Sequence, residues 1–185
     1  MENQEIIFNF QDRAAYLESL DSALPEQFYE TRDLGGGKKA TYLPVAYQEA
    51  MADKMFLYWN VTNEEYTQIL NEIICVVRIT YTPSYPGAEE LYCTGSAAHP
   101  IQMDSGAKPN EIGTKKKPNA LEYCLPAARS AAVSKALESL GNIFGRNLNR
   151  KVGDKVLAPN FKFRYHVRKF QRIKNHGSSR PPIFR

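Results

Sequence analysis

The sequence predicts an α+β fold in which an antiparallel sheet is packed by one long helix, with helical segments before it and a basic segment after it. Two stretches carry this prediction. Ile73 to Thr82 (IICVVRITYT) is dense in β-branched and aromatic residues, the composition of a strand that buries at least one face. From Ala120 to about Arg150, Val133, Leu137, Leu140, Phe144 and Leu148 gather on one side of a helical wheel, the spacing of a helix laid on a sheet.

The remaining elements follow in order. Phe10, Ala14, Leu17 and Leu24 recur near the helical period, so residues 10 to 24 read as a first helix that Pro25 stops. Arg32 to Lys39 is a loop by composition, and Ala40 to Leu43 a short strand. Pro44 suits the first position of a helix running to about Lys54, with Tyr47, Ala50, Met51 and Met55 as its buried stripe. Trp59 to Thr62 is extended. Pro83 to Gly87 turns the chain, and Glu89 to Ala97 returns as the partner of the main strand. Residues 99 to 119, with Gly106, Gly113, three prolines and Lys115-Lys116-Lys117, form a long polar loop. Near the end, Phe161, Phe163, Tyr165 and Val167 alternate with Lys162, Arg164, His166 and Arg168, a strand pattern with one apolar and one cationic face.

Three segments result: an acidic helical head (1–24), a core (25–151) and a basic C-terminal segment (152–185). At 185 residues the chain is long enough to bury a sizeable core. No apolar run approaches the roughly 20 residues that span a bilayer, so no membrane partner is expected. The acidic start is no secretory signal, and Cys75, Cys93 and Cys124 are too few and too scattered for a disulfide framework. They read as small core residues in an intracellular setting. With three histidines and no ligand-spaced Cys or His pair, no metal is expected.

The overall charge of +4 is uninformative, but its distribution is not. Residues 1–30 hold seven acids against Arg13, a net of −6, whereas residues 162–185 hold eight bases and no acid, a net of +8. Either neighbouring subunits attract through their opposite ends, or the basic end faces an anionic polymer, or the tail is simply solvated.

Arg32, Gly35-Gly36-Gly37-Lys38-Lys39 and Tyr42 are the chemically densest stretch. Bare backbone, positive charge and an aromatic face within eleven positions suit a single-stranded polynucleotide, and a solvated surface loop is the alternative. The glycines do not make a Walker loop. That pattern needs Ser or Thr directly after the lysine and a glycine five places before the GK glycine, where Lys39 and Arg32 stand. In the late helix Lys135, Asn142 and Arg146 share the face opposite the apolar one. Gly141 and Gly145 lie one turn apart there, tolerable where another backbone packs close. No catalytic residue, cofactor or paired-carboxylate metal signature is expected, so binding is the default function.

RDLGGGKKATYLPVAYQEAMADKMFLYW resembles the signature of the Rad fifty-two superfamily of single-strand annealing proteins: an arginine, a Gly-Gly-Gly-x-Lys turn, a tyrosine strand, then a helix ending in Met-Phe and a nearby Trp. SKALESLGNIFGRNL resembles that family's later basic helix, and VVRITY with its returning strand sits where the family places its central hairpin. The similarity covers roughly residues 25 to 151 in the right order.

The resemblance implies a β-β-β-α core whose subunits assemble into rings or helical arcs. These hold single-stranded DNA in a positive groove and pair complementary strands without ATP, in homologous recombination and DNA repair. Arg32 and Tyr42 match groove-lining positions, with Gly36, Lys38 and Lys39 beside them. Lys135 matches the second member of the family's basic pair, but Ser134 stands at the first and Glu138 where a further arginine is expected; Arg146 is placed to compensate. Lys115, Lys116 and Lys117, with Arg164 and Arg168, form a candidate second DNA site. A compact chain of this size resembles phage or mobile-element members. This implies the cytoplasm of a bacterial host, near the nucleoid, and a single-strand DNA-binding protein or exonuclease as further partners. The alternatives are a passive single-strand coat, a recombination adaptor without annealing activity, and an RNA-binding module.

Overall fold

A computed structural model describes residues 9–33 and 35–149 of the chain. The strand expected at Phe161–Arg168, and with it Arg164 and Arg168, lies outside the described residues.

The frame is α1 (Arg13–Asp21), β1 (Glu30–Asp33), β2 (Lys39–Tyr42), α2 (Val45–Met55), β3 (Phe56–Ile69), β4 (Glu72–Pro83), β5 (Leu91–Pro100), the single turn α3 (Ile112–Lys115) and α4 (Ala120–Glu138). β1 and β2 pair as an antiparallel hairpin; β3, β4 and β5 form a separate antiparallel sheet in that order. Three strands followed by α4 on one face give the expected α+β architecture.

β4 is the central strand, and its burial alternates along its length. Ile73, Cys75, Val77, Ile79 and Tyr81 face α4 and are buried. Its other face carries Val76 and Arg78. The exposed Tyr58 of β3 and Tyr92 of β5 lie on that same face, where the Arg78 guanidinium sits 4.9 Å from the Tyr92 ring centre. The three cysteines are buried free thiols of the core, and burial pushes the Cys93 thiol up to about 11.

β3 is far longer than the four extended residues expected from sequence. Its second half (TNEEYTQ) is exposed on both faces, so no hydrophobic alternation marks it, and pairing with β4 from Asn63↔Arg78 to Ile69↔Glu72 holds it extended. The stripe expected on α2 is also shifted. Gln48, Ala52 and Met55 are buried, whereas Tyr47 and Ala50 are exposed and Met51 is half-buried. The helix enters from Pro44 rotated from the expected register, with Tyr47 edge-on to Phe28 at 5.5 Å instead of in the core.

α4 faces the sheet with a row of small residues one turn apart: Ala120, Cys124, Ala128, Ala132 and Ala136, all buried. The row lets the helix lie unusually close to β5. A Cβ added at Gly95 would lie 2.2 Å from the Ala132 carbonyl oxygen and 2.4 Å from the Ala136 amide nitrogen.

The expected helix to Arg150 is a correction. α4 ends at Glu138, and the chain turns through Gly141 into a short 3-10 turn, Asn142–Phe144, closed by Gly145 at φ 90°. Both glycines therefore stand outside a helix. Gly145 takes the left-handed conformation that ends the turn. Gly141 meets α1 so closely that a Cβ there would lie 2.3 Å from the Leu20 carbonyl oxygen, which is the close backbone approach expected for it.

One ion pair ties α4 to β3. The Arg129 Nε donates to Glu64 Oε2 at 2.8 Å, and the Tyr66 phenol donates to the same carboxylate. The Tyr66 hydrogen bond, then the Arg129 one, hold the Glu64 carboxyl below the usual carboxylate range.

Two predictions follow from these contacts. Gly95→Ala forces backbone away from backbone; it should cost about 3 kcal/mol or more and lower the melting temperature on the order of 10 °C, read by thermal denaturation. For Glu64, a depressed native pKa means the unfolded chain binds the proton more readily. The pair's stabilisation is therefore complete above an unfolded pKa of about 4.3 and is lost as pH falls through the native value. With side chains 42% and 32% exposed, Glu64→Gln should cost less than about 1 kcal/mol at pH 7. Urea unfolding should show that deficit shrinking below pH ~4; an equal deficit at pH 7 and pH 3 would contradict the assignment.

Candidate functional site

Where the β1–β2 hairpin, the last turns of α4 and the 145–149 turn meet, they enclose an open groove of about 580 Å³. Arg32 and Tyr42 line it from the hairpin, Ser134, Lys135 and Glu138 from α4, and Arg146 and Asn149 from the turn. Four residues expected from sequence to act together (Arg32, Tyr42, Lys135 and Arg146) are thus brought to one cavity. A second depression of about 400 Å³ shares Lys135, Glu138 and Arg146 with it and adds Ser139.

The hairpin register explains the first pair. Glu30 lies opposite Tyr42 and Arg32 opposite Ala40, so alternation puts Glu30, Arg32 and Tyr42 on one face. The Arg32 guanidinium lies 5.8 Å from the Tyr42 ring centre, and the Tyr42 hydroxyl donates to Glu30 Oε2 at 2.6 Å. That hydrogen bond raises the phenol above its ordinary value. The ring lies beside a cation, and its hydroxyl is tied to a carboxylate.

Arg146 reaches the groove by a route different from the one expected. It does not share a helical face with Lys135; it is delivered by the turn that follows α4. Asn142 points away, its amide nitrogen donating to Asp21 Oδ1 at 2.8 Å, and so takes no part in the groove. Two hydrogen bonds position the turn. The fully buried Gln48 of α2 donates from Nε2 to the Phe144 carbonyl at 2.9 Å, and Asn149 donates from Nδ2 to the Thr41 carbonyl of β2 at 2.7 Å. Gln48 and Asn149 drew no notice in the sequence, because a polar residue that anchors backbone has no pattern of its own.

Three cations (Arg32, Lys135, Arg146) against the one carboxylate of Glu138 leave the groove lining at +2. Lys135 is already engaged, with its ammonium 2.6 Å from Glu138 Oε2. Among the described residues neither Arg32 nor Arg146 has a carboxylate within salt-bridge reach.

Gly36, Lys38 and Lys39 are not part of this lining. They sit at or beside the hairpin tip, where Gly35, Gly36 and Gly37 are all left-handed at φ 82°, 60° and 74°. No side chain but glycine adopts three such residues in a row without strain. Asp33 Oδ1 accepts from the Gly35 amide at 2.8 Å, so that amide is spent inside the loop. The amides of Gly36 and Gly37 have no partner among the described residues.

Lys115, Lys116 and Lys117 are exposed and hold a different place. Met103 bridges Lys116, and the Lys117 amide donates to the Gln102 carbonyl at 3.0 Å. They precede α4, and Lys135 lies about 22 Å further along its axis than Ala120. They do not join the groove.

Among the described residues no group of three His, Cys, Asp or Glu side chains is placed to hold a metal ion, and no helix is long and apolar enough to cross a membrane. No protein-family model matches the chain, and no curated protein matches it significantly.

Proposed function

We propose that the chain binds single-stranded DNA and anneals complementary strands without ATP, as an oligomeric member of the Rad fifty-two superfamily acting in homologous recombination and repair. The observation that carries this reading is the convergence of Arg32, Tyr42, Lys135 and Arg146 on one open groove from three separate segments of the chain. Their chemistry is complementary to a polynucleotide backbone with a base to stack. Arg32 and Arg146 offer guanidinium forks that suit phosphate oxygens, and Tyr42 offers a ring face held in place. A groove of this kind grips by charge and leaves base edges free for pairing, so sequence is read by the complementary strand. Repetition around a ring or arc multiplies such contacts into avidity. The exposed Lys115–Lys117 loop supports a second, outer contact for the incoming strand. In the cell this activity belongs with a single-strand DNA-binding protein or an exonuclease that supplies the strand, in the cytoplasm of a bacterial host.

The test is annealing of two labelled complementary oligonucleotides without ATP, with binding followed across salt. The wild type should accelerate annealing. Arg32→Ala and Arg146→Ala should each lower the slope of log affinity against log salt by about 0.7 and abolish the acceleration. Tyr42→Ala should weaken binding roughly tenfold while Tyr42→Phe, which keeps the ring, should not. Binding without acceleration would make the protein a passive coat or an adaptor; no binding would sink the proposal.

A further inference from the structure

The groove carries its own counter-anion, and the position of that anion is specific. Glu138 extends one carboxylate oxygen to the Lys135 ammonium at 2.6 Å and the other to the Ser134 hydroxyl at 3.4 Å. All three side chains line the cavity in which Arg32 and Arg146 also stand. A carboxylate accepting from a lysine in a cationic groove occupies the place a phosphate oxygen would take, with the same charge and the same acceptor geometry.

We infer that Glu138 is an internal competitor for the groove's anionic ligand: it keeps Lys135 occupied until a phosphate displaces it, and so sets how tightly and how long a strand is held. This rests on the single-strand-binding reading above and deepens it. Lys135 has a compact ammonium on a flexible stem and can swing between carboxylate and phosphate, which a bidentate arginine pair would resist. The exchange replaces one ion pair by another, so Lys135 adds little net affinity while Glu138 is present. A strand held this way leaves more readily. Annealing needs that release, because a strand must shift register before the correct pairing is reached.

The competition has a signature that simple repulsion lacks. If Glu138 only repelled phosphate through space, its removal and that of Lys135 would act independently. If the two anions compete for one ammonium, Lys135→Ala costs more affinity once Glu138 is gone.

The experiment measures binding of a fluorescein-labelled oligothymidylate across salt to wild type, Glu138→Gln, Lys135→Ala and the double variant. Glu138→Gln keeps the side chain's shape and its bond to Ser134, and an unchanged melting curve confirms the fold. It should tighten binding roughly fivefold, the upper end for release of an exposed ion pair. It should also steepen the salt slope by about 0.7, because the cations a phosphate releases at Lys135 are no longer offset by those the freed carboxylate would take up, and slow dissociation. In the Glu138→Gln background Lys135→Ala should erase the gain, a larger loss than in wild type. Wild-type binding that Glu138→Gln leaves unchanged, or equal losses for Lys135→Ala in both backgrounds, would overturn the competition and leave the binding reading intact. Absence of binding by wild type and all variants would overturn that reading and this inference with it.

Discussion

The contact between α4 and β5 at Gly95 is the constraint on which the rest of the arrangement depends. Helices normally stand off a sheet by the length of intervening side chains. Here one residue without a side chain and a row of alanines bring helix backbone into contact with strand backbone. The contact involves the Ala132 carbonyl and the Ala136 amide, and Lys135 lies between those two residues in the chain. This backbone-to-backbone contact therefore fixes the helical turn that presents the groove's lysine. Rotation of α4 about its axis would drive Val133 or Leu137, both fully buried, into the strand. The lysine's direction is set by the core beneath it.

From that turn outward, burial declines stepwise. The chain leaves α4 through Gly141, which is pinned against the Leu20 carbonyl, and passes Phe144, fully buried and stacked 6.0 Å from Phe56. Only then does it present Arg146. Beyond it, Asn149 reaches across to the Thr41 carbonyl and ties the turn to the hairpin. β1 is exposed along its whole length, and an isolated two-stranded hairpin is marginally stable in water. The groove thus has one wall seated on the core and one wall that depends on local bonds. The wall seated on the core sets the position of Lys135.

What the sequence revealed follows the same gradient. The central strand and the fold class were legible because β4 is buried on its helix side at every second residue, and burial writes a period into sequence. The second half of β3 was not, since a segment exposed on both faces and held by backbone pairing alone carries no such period. The helical wheel misjudged the end of α4 for a related reason. Leu140, Phe144 and Leu148 continue the apolar rhythm, and Phe144 is indeed buried, but it is buried by a turn. Gly141 and Gly145 were the signal that the helix stops, and their spacing of four disguised it as a helical repeat. Of the seven residues grouped from sequence, Arg32, Tyr42, Lys135 and Arg146 share one cavity while Gly36, Lys38 and Lys39 stand outside its lining, because composition marks cations, glycines and aromatics but not the direction in which the backbone carries them.

Glu138 shows where the chemistry and the proposed family likeness diverge. The pattern that the chain resembles expects an arginine at this position, and judged on charge alone the substitution weakens the groove. The geometry gives it a different meaning. The carboxylate does not face empty solvent; it is seated on the lysine of the preceding turn, in the i, i+3 relation that lets two side chains on one helix meet. Lys135 lies in the last turn of α4, where the partial negative charge of the helix end already favours a cation. An acid beside it adds little stability to the helix, since exposed pairs of this kind contribute well under about 1 kcal/mol as a rule. Helix stability is thus a weak reason for a carboxylate in a cationic groove. Control of how firmly the groove holds an anion is a stronger one, because one such carboxylate removes a third of the cationic lining from immediate use and returns it when a ligand arrives.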